Sequence, residues 1–198
     1  MSLFWAAVAI DSLVSKLNKL KPLSDEAIAS KTGYLKESGS SPLFITWNTL
    51  PNHNLRGCIG TFTDIELSSG VRKYSLIAAL EDSRFRPIKK SELPLLECCV
   101  TILNNFEQIT NPYDWQIGVH GLRLEFEYNN NYYSGTFLPS VMEEQGWDKD
   151  ETYDNLILKA GLRAHGLTIE KLIELGNVTI IRYKGDKNKL NVDNYMQL

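Results

Sequence analysis

The chemistry in this chain points first to residues 55–60, where Cys58 sits between Gly57 and Gly60 with Arg56 two positions before it. Cys58 is the candidate nucleophile. The thiolate is the attacking form of cysteine, and a nearby guanidinium favours that form. In an extended segment Arg56 and Cys58 share a face, because side chains alternate along a strand. Gly57 and Gly60 have no Cβ, so a ligand can come close to the backbone N–H groups beside the sulfur, an arrangement suited to an oxyanion. The same residues also fit a plainer role: Cys58 as a small apolar filler beside a tight turn, and Arg56 as half of an ion pair. Residue types alone leave both readings open.

A thiol nucleophile needs a base, and the chain has His53, His120 and His165. His120 is the best placed, in a turn between Gly118 and Gly121 from which an imidazole can project. His53 reads as a turn residue and His165 as a surface one. Asp82 and Arg84 stand at the end of a helical segment, ahead of Pro87. They suit either a clamp on an anionic or amide-bearing ligand, Arg84 acting as a fork, or a helix-end ion pair with Phe85 and Pro87 packed beneath. The candidate ligand-binding set is therefore Arg56, Gly57, Gly60, Asp82 and Arg84. No Gly-rich nucleotide motif, C-x-x-C or H-E-x-x-H occurs, so neither a cofactor nor a metal site is expected. Trp5, Trp47, Trp115 and Trp147 are too scattered for a base-stacking platform.

Composition narrows the class of partner. The chain has 198 residues, 43% hydrophobic and 23% charged, with a formal net charge of −3 and pI near 5.7. That is an ordinary globular make-up. It lacks the basic excess of a nucleic-acid or acidic-membrane surface. Lys184, Lys187 and Lys189 form the one basic cluster singled out, read as a solvated loop. Three cysteines, two of them adjacent (Cys98 and Cys99), make a poor disulfide framework and suit a reducing compartment. The apolar start, Leu3–Ile10, has no basic region before it and is broken by Asp11, so it does not read as a secretory signal. No stretch approaches the ~20 apolar residues of a membrane span. The expectation is a cytoplasmic protein, with the nucleus also open, whose partner is a small molecule or a protein tail.

The elements that must position these residues follow from periodicity. Leu3, Ala6, Ile10, Leu13 and Leu17 predict an amphipathic first helix ending before Pro22. Residues 21–42 read as a connector with a short helix near 24–30. Residues 43–47 predict a strand, 48–54 a turn, and 55–60 the returning strand. Ser68–Asp82 predicts a helix capped by Ser68 or Ser69. Glu97–Phe106 predicts a strand, and residues 122–137 a hairpin turning at Asn129–Asn131. Asp148 with Glu151 marks a capping box opening a helix that Gly161 closes. Trp147 reads as a staple on that helix. Thr168–Leu175 predicts a further helix and Val178–Tyr183 a final strand. Hairpins mixed with separate helices indicate an α+β fold with a mainly antiparallel sheet and flanking helices. No internal repeat or linker divides the chain, so residues 1–198 form a single domain.

Five segments in order give the chain a family resemblance. They are L-R-G-C-I-G at 55–60 with Thr61-Phe62; Asp82-Ser83-Arg84-Phe85 with Pro87; Gly118-Val119-His120-Gly121-Leu122; Leu138-Pro139-Ser140-Val141 with Gly146-Trp147-Asp148; and Lys159-Ala160-Gly161. Together they resemble the AMMECR1 domain family. The resemblance implies two subdomains with a cleft between them, the larger using both chain ends and the smaller a middle segment. It brings no established activity. Similar domains are fused to, or neighbour, radical-SAM and MEMO-type proteins in some lineages, which implies a biosynthetic or modification step. Archaeal relatives tend to carry Asp at the position of His120, which argues against that residue as an essential base. Two functions stay open: a small cleft enzyme using Cys58 as nucleophile in a biosynthetic or macromolecule-modification step, or a non-catalytic ligand-binding or protein-interaction module using the same cleft.

Overall fold

Trp47 shows how the first half of the chain is held together. Its ring is fully buried, and its indole N–H donates to the Ser75 carbonyl at 3.0 Å, tying a strand to the helix above it. The structure, a computed structural model, describes residues 3–33, 39–163 and 166–198. Among these the elements run α1 (Phe4–Asn18), α2 (Asp25–Thr32), β1 (Ser40–Thr49), β2 (Asn54–Glu66), α3 (Leu67–Leu80), a 3-10 turn (Lys90–Leu95), β3 (Leu96–Ile109), β4 (Gly121–Tyr128), β5 (Asn131–Phe137), α4 (Pro139–Gln145), α5 (Lys149–Lys159), α6 (Ile169–Leu175), β6 (Val178–Asn191) and α7 (Val192–Met196). The fold is α+β. The strands follow the order β2-β1-β3-β6-β4-β5, with antiparallel pairing of β1 to β2 and β3, and of β4 to β5 and β6.

The chain divides into two compact units, Met1–Leu103 with Asp186–Leu198, and Asn104–Gly185. The core of the first is built from α1, α3 and one face of β1–β3, with Phe4, Ile10, Leu43, Ile45, Trp47, Val71 and Val100 among its buried residues. The core of the second joins the β4–β5 hairpin to α4, α5 and α6 through Leu124, Phe126, Met142, Tyr153, Leu156 and Leu172.

Several expectations are corrected. The first helix is not amphipathic, because Phe4–Leu13 is buried without a break; a helix apolar all round belongs inside a core. Asp11, which interrupts the apolar run, is itself buried: it accepts from Leu23 N–H at 2.9 Å and from the Tyr195 hydroxyl at 2.8 Å. The cap of α3 is Glu66, whose carboxylate accepts from the N–H groups of Ser68 and Ser69, rather than either serine. The Lys184–Lys189 segment is strand, not loop, since β6 continues to Asn191. Helices α4 and α7 and the 3-10 turn are short elements that periodicity did not reveal. Trp147 packs on Phe137, ring centroids 5.3 Å apart. Asp148 and Glu151 form the reciprocal capping box of α5.

Candidate functional site

Cys58 lies on β2, the edge strand of the sheet, directly across from Thr46 on β1. Thr46 in turn faces Cys99 on β3, so a cysteine, a threonine and a cysteine form one row across three strands. Alternation puts this row on the opposite face from Leu43, Ile45 and Trp47, which enter the core. Cys58 is half-buried, and its sulfur lies 3.2 Å from Thr46 Oγ1. Cys99 is buried and Cys98 more so; burial pushes both thiols up, away from thiolate.

The Asp82–Arg84 segment, just past the end of α3, clips onto this strand. Asp82 Oδ2 accepts the Cys58 N–H at 2.9 Å, and Arg84 Nη2 donates to the Cys58 carbonyl at 2.9 Å. Asp82 and Arg84 also bind each other, through Nε to Oδ1 at 2.9 Å and Nη2 to Oδ2 at 2.7 Å. The Arg84 N–H adds a contact to Oδ1 at 3.2 Å. Asp82 is buried, and the Arg84 guanidinium holds its carboxyl far below the usual carboxylate range, against the opposing effect of burial. Arg84 remains 54% exposed in its side chain and stacks over Phe85 at 5.5 Å.

This geometry revises several expectations about the motif. The Cys58 N–H already donates to Asp82, so it is not an open oxyanion donor. Arg56 is engaged by Glu92, Nε to Oε1 at 2.8 Å and Nη2 to Oε2 at 3.2 Å, which directs its charge to a carboxylate. Glu92, which residue spacing did not single out, has its pKa lowered by that pair. The two glycines serve packing. A Cβ on Gly57 would stand 2.1 Å from the Ala78 carbonyl oxygen, and one on Gly60 would stand 2.4 Å from the Phe44 ring. Phe44 also meets Phe62 edge to face at 4.9 Å. The segment from the end of α3 into the 3-10 turn carries Arg84, Arg86, Lys89 and Lys90, all exposed, a second basic cluster besides Lys184–Lys189.

His120 belongs to the other unit, and its hydrogen bonds fix its tautomer. Nδ1 accepts the Gln116 N–H at 3.1 Å, so in neutral imidazole the proton sits on Nε2. Burial, with Arg182 and Lys184 adding to it, lowers the pKa. The nitrogen left for solvent is thus a donor, the wrong role for a general base. His53 pairs with Glu97 at 3.2 Å in an exposed turn. His165 lies outside the described residues. Among the described residues, no group of three His, Cys, Asp or Glu is placed to hold a metal. No helix among them is long and apolar enough to cross a membrane.

Comparison with known proteins gives a consistent result. The family model described as AMMECR1 matches residues 5–187. An uncharacterised protein of Kluyveromyces lactis is 40% identical over 176 residues, 82% of this chain and 78% of that one. An uncharacterised protein of Arabidopsis thaliana is 38% identical over 165 residues, 81% of this chain and 75% of that one. The crystal structure of an uncharacterised protein from Pyrococcus horikoshii is similar with a TM-score of 0.69 and 26% identity, covering 94% of this chain and 89% of that one.

Proposed function

This chain belongs to the AMMECR1 family, and on that footing we propose that it acts as a non-catalytic binding module whose Cys58-bearing surface takes the anionic group of a small molecule or protein tail. One observation carries the reading. Both backbone polar groups of Cys58 are tied to Asp82 and Arg84, while half of the Arg84 side chain stays open to solvent. A nucleophilic site needs a base and an oxyanion donor. Here the Cys58 N–H is already bound, and the sulfur's hydrogen bond goes to a threonine, which is no base at neutral pH. What remains accessible is recognition chemistry: the outer edge of a held guanidinium, the exposed neighbours Arg86 and Lys90, and the Phe44–Phe62 pair.

The rival reading, in which Cys58 attacks an electrophile, has one observation in its favour. The Arg84 guanidinium is close enough to Cys58 to interact electrostatically with its thiolate. Iodoacetamide decides between them. With sites mapped by peptide mass spectrometry at pH 7, a binding-module Cys58 alkylates no faster than free glutathione, whose thiol has an ordinary pKa near ~8.5–9. Alkylation about tenfold or more above that reference, lost in Arg84→Gln, restores the nucleophile and defeats the binding reading.

A further inference from the structure

The unit formed by Asn104–Gly185 has a cavity of about 410 Å³ lined by Asn105, Phe106, Glu107, His120, Arg182 and Lys184. All six residues come from β3, β6 and the turn before β4, so the site is complete within one unit. It shares no residue with the Cys58 surface. We propose that this cavity binds a small planar aromatic molecule bearing an anionic group, with the ring on Phe106 and the anion on Lys184 and His120 Nε2.

The volume falls in the range of small-ligand sites, roughly 300–1,000 Å³. The platform is Phe106. Phe106 as a residue is 45% exposed, and its ring stacks on Tyr183 with centroids 5.1 Å apart and planes 25° apart. Tyr183 is fully buried, and its hydroxyl donates to the Phe137 carbonyl at 2.8 Å. The inner ring is therefore fixed, and the outer ring rests on a rigid support. Offset stacking on such a ring adds about 0.5–1.5 kcal/mol beyond the area it buries.

The polar groups select charge. Glu107 Oε2 accepts from Arg182 Nε at 3.0 Å and Nη2 at 2.7 Å. Arg182 Nη1 also donates to the Asp114 carbonyl at 2.6 Å. Arg182 and Glu107 thus satisfy each other and fix the floor. The Lys184 side chain is exposed and makes no ion pair or hydrogen bond among the described residues. His120 offers Nε2–H, because its other nitrogen is held as an acceptor by Gln116. Arg182 is taken up by Glu107 and by the Asp114 carboxylate, Nη1 to Oδ1 at 2.9 Å, so the groups left open on the wall are the donors of Lys184 and His120. Their natural complement is a carboxylate or phosphate.

Asn105 is an independent sign. Its φ is +51° inside a strand, a conformation that costs a non-glycine residue energy. The turn it makes breaks the alternation of β3: residues 105–108 are all exposed, whereas a regular strand would bury every second one. That irregularity brings Phe106 to the cavity wall.

The test is titration of the full chain, followed by isothermal calorimetry and by amide NMR shifts. The probes are AMP, 4-hydroxybenzoate, adenosine and inorganic phosphate. The expected result is that AMP or 4-hydroxybenzoate binds and shifts the Phe106 and His120 amides, while adenosine and phosphate bind at least about tenfold more weakly. Binding of AMP alone assigns a nucleotide; binding of the benzoate alone assigns an aromatic acid. Phe106→Leu and Lys184→Gln, both at exposed side chains, should each weaken that binding about tenfold or more, and Arg84→Gln should leave it unchanged. The proposal is overturned if neither aromatic anion binds below about 5 mM, if phosphate binds as well as either, or if binding survives either cavity substitution. Sensitivity to Arg84→Gln would instead place the ligand on the Cys58 surface.

Discussion

Asp82→Asn tests the clip at its most connected atom. The carboxylate accepts four hydrogen bonds, two at each oxygen: Arg84 N–H and Nε at Oδ1, Cys58 N–H and Arg84 Nη2 at Oδ2. An asparagine keeps one accepting oxygen and turns an NH2 toward the donors at the other. Either the Cys58 N–H or the guanidinium loses its partner, whichever way the amide is oriented. Hydrogen bonds to a charged group contribute about 1.5–3 kcal/mol net, and an orphaned donor costs about 1–3 kcal/mol. Because Arg84 is more than half exposed, the Coulomb part of the pair is screened and contributes only about 0–1 kcal/mol. The sum we expect is a loss of about 2–3 kcal/mol at pH 7, a fall in Tm of roughly 5–10 °C for a chain this long. Urea unfolding gives the free-energy difference directly. The pH dependence supplies a second signature. The Asp82 pKa is depressed in the folded state, so its stabilisation is complete above the unfolded value near ~3.9 and is lost as pH falls from there toward the folded value. The gap between wild type and Asp82→Asn should therefore narrow steadily as pH drops from about 5 toward 2. Glu66, Glu92 and Glu170 are also depressed and will weaken both proteins in acid, but they cancel in the difference. A gap below about 0.5 kcal/mol at pH 7, or one that does not change with pH, would refute the clip as the anchor of the Cys58 strand.

Two further substitutions probe the scaffold. Gly57→Ala places a methyl 2.1 Å from a backbone oxygen of α3, an atom that cannot rotate away, so β2 must shift. We expect a loss of at least about 2 kcal/mol in urea unfolding, and a loss under about 0.5 kcal/mol would refute the close approach. Asp148→Ala removes the acceptor of the Glu151 N–H at 2.8 Å and leaves only the reciprocal half of the box, the backbone N–H of residue 148 donating to Glu151 at 3.0 Å. A cost of about 1 kcal/mol is expected, and an unchanged melting temperature would refute the cap.

Most of the architecture was legible because it rests on local rules. The β4–β5 hairpin alternates cleanly, Asp148 and Glu151 have capping-box spacing, and Gly176 closes α6. Misreadings arose where a distant partner decides. Nothing local tells that α1 is buried all round, because that depends on α2, α3, α7 and the 3-10 turn packing against it. Glu66 rather than Ser68 caps α3 because its side chain folds back onto N–H groups that spacing assigns equally well to a serine. The motif was read in the same way. Residue types located Cys58, Asp82 and Arg84, and the structure joins these three. The pairing of Arg56 with Glu92, 36 residues away, and of Nδ1 of His120 with a backbone N–H had no signature in sequence.

The joining of those segments also has a mechanical reason. β2 is an edge strand of thirteen residues, and a long edge with free N–H and C=O groups invites another chain to pair with it. At Cys58 both outward groups are filled by side chains, the amide by a carboxylate and the carbonyl by a guanidinium, in the donor–acceptor order a neighbouring strand would present. The Asp82–Arg84 pair thus blocks the edge at Cys58 without adding a strand, and it leaves more than half of the Arg84 side chain in water. An edge closed in this way has no backbone amide at Cys58 to stabilise an oxyanion. It does hold a planar cation beside the backbone of a small thiol residue and over the ring of Phe85. Fixed cations with low entropy left to lose are good recognition groups, because binding an anion then costs little further ordering. The contacts that occupy the Cys58 amide and carbonyl are thus the same ones on which the proposed binding role rests.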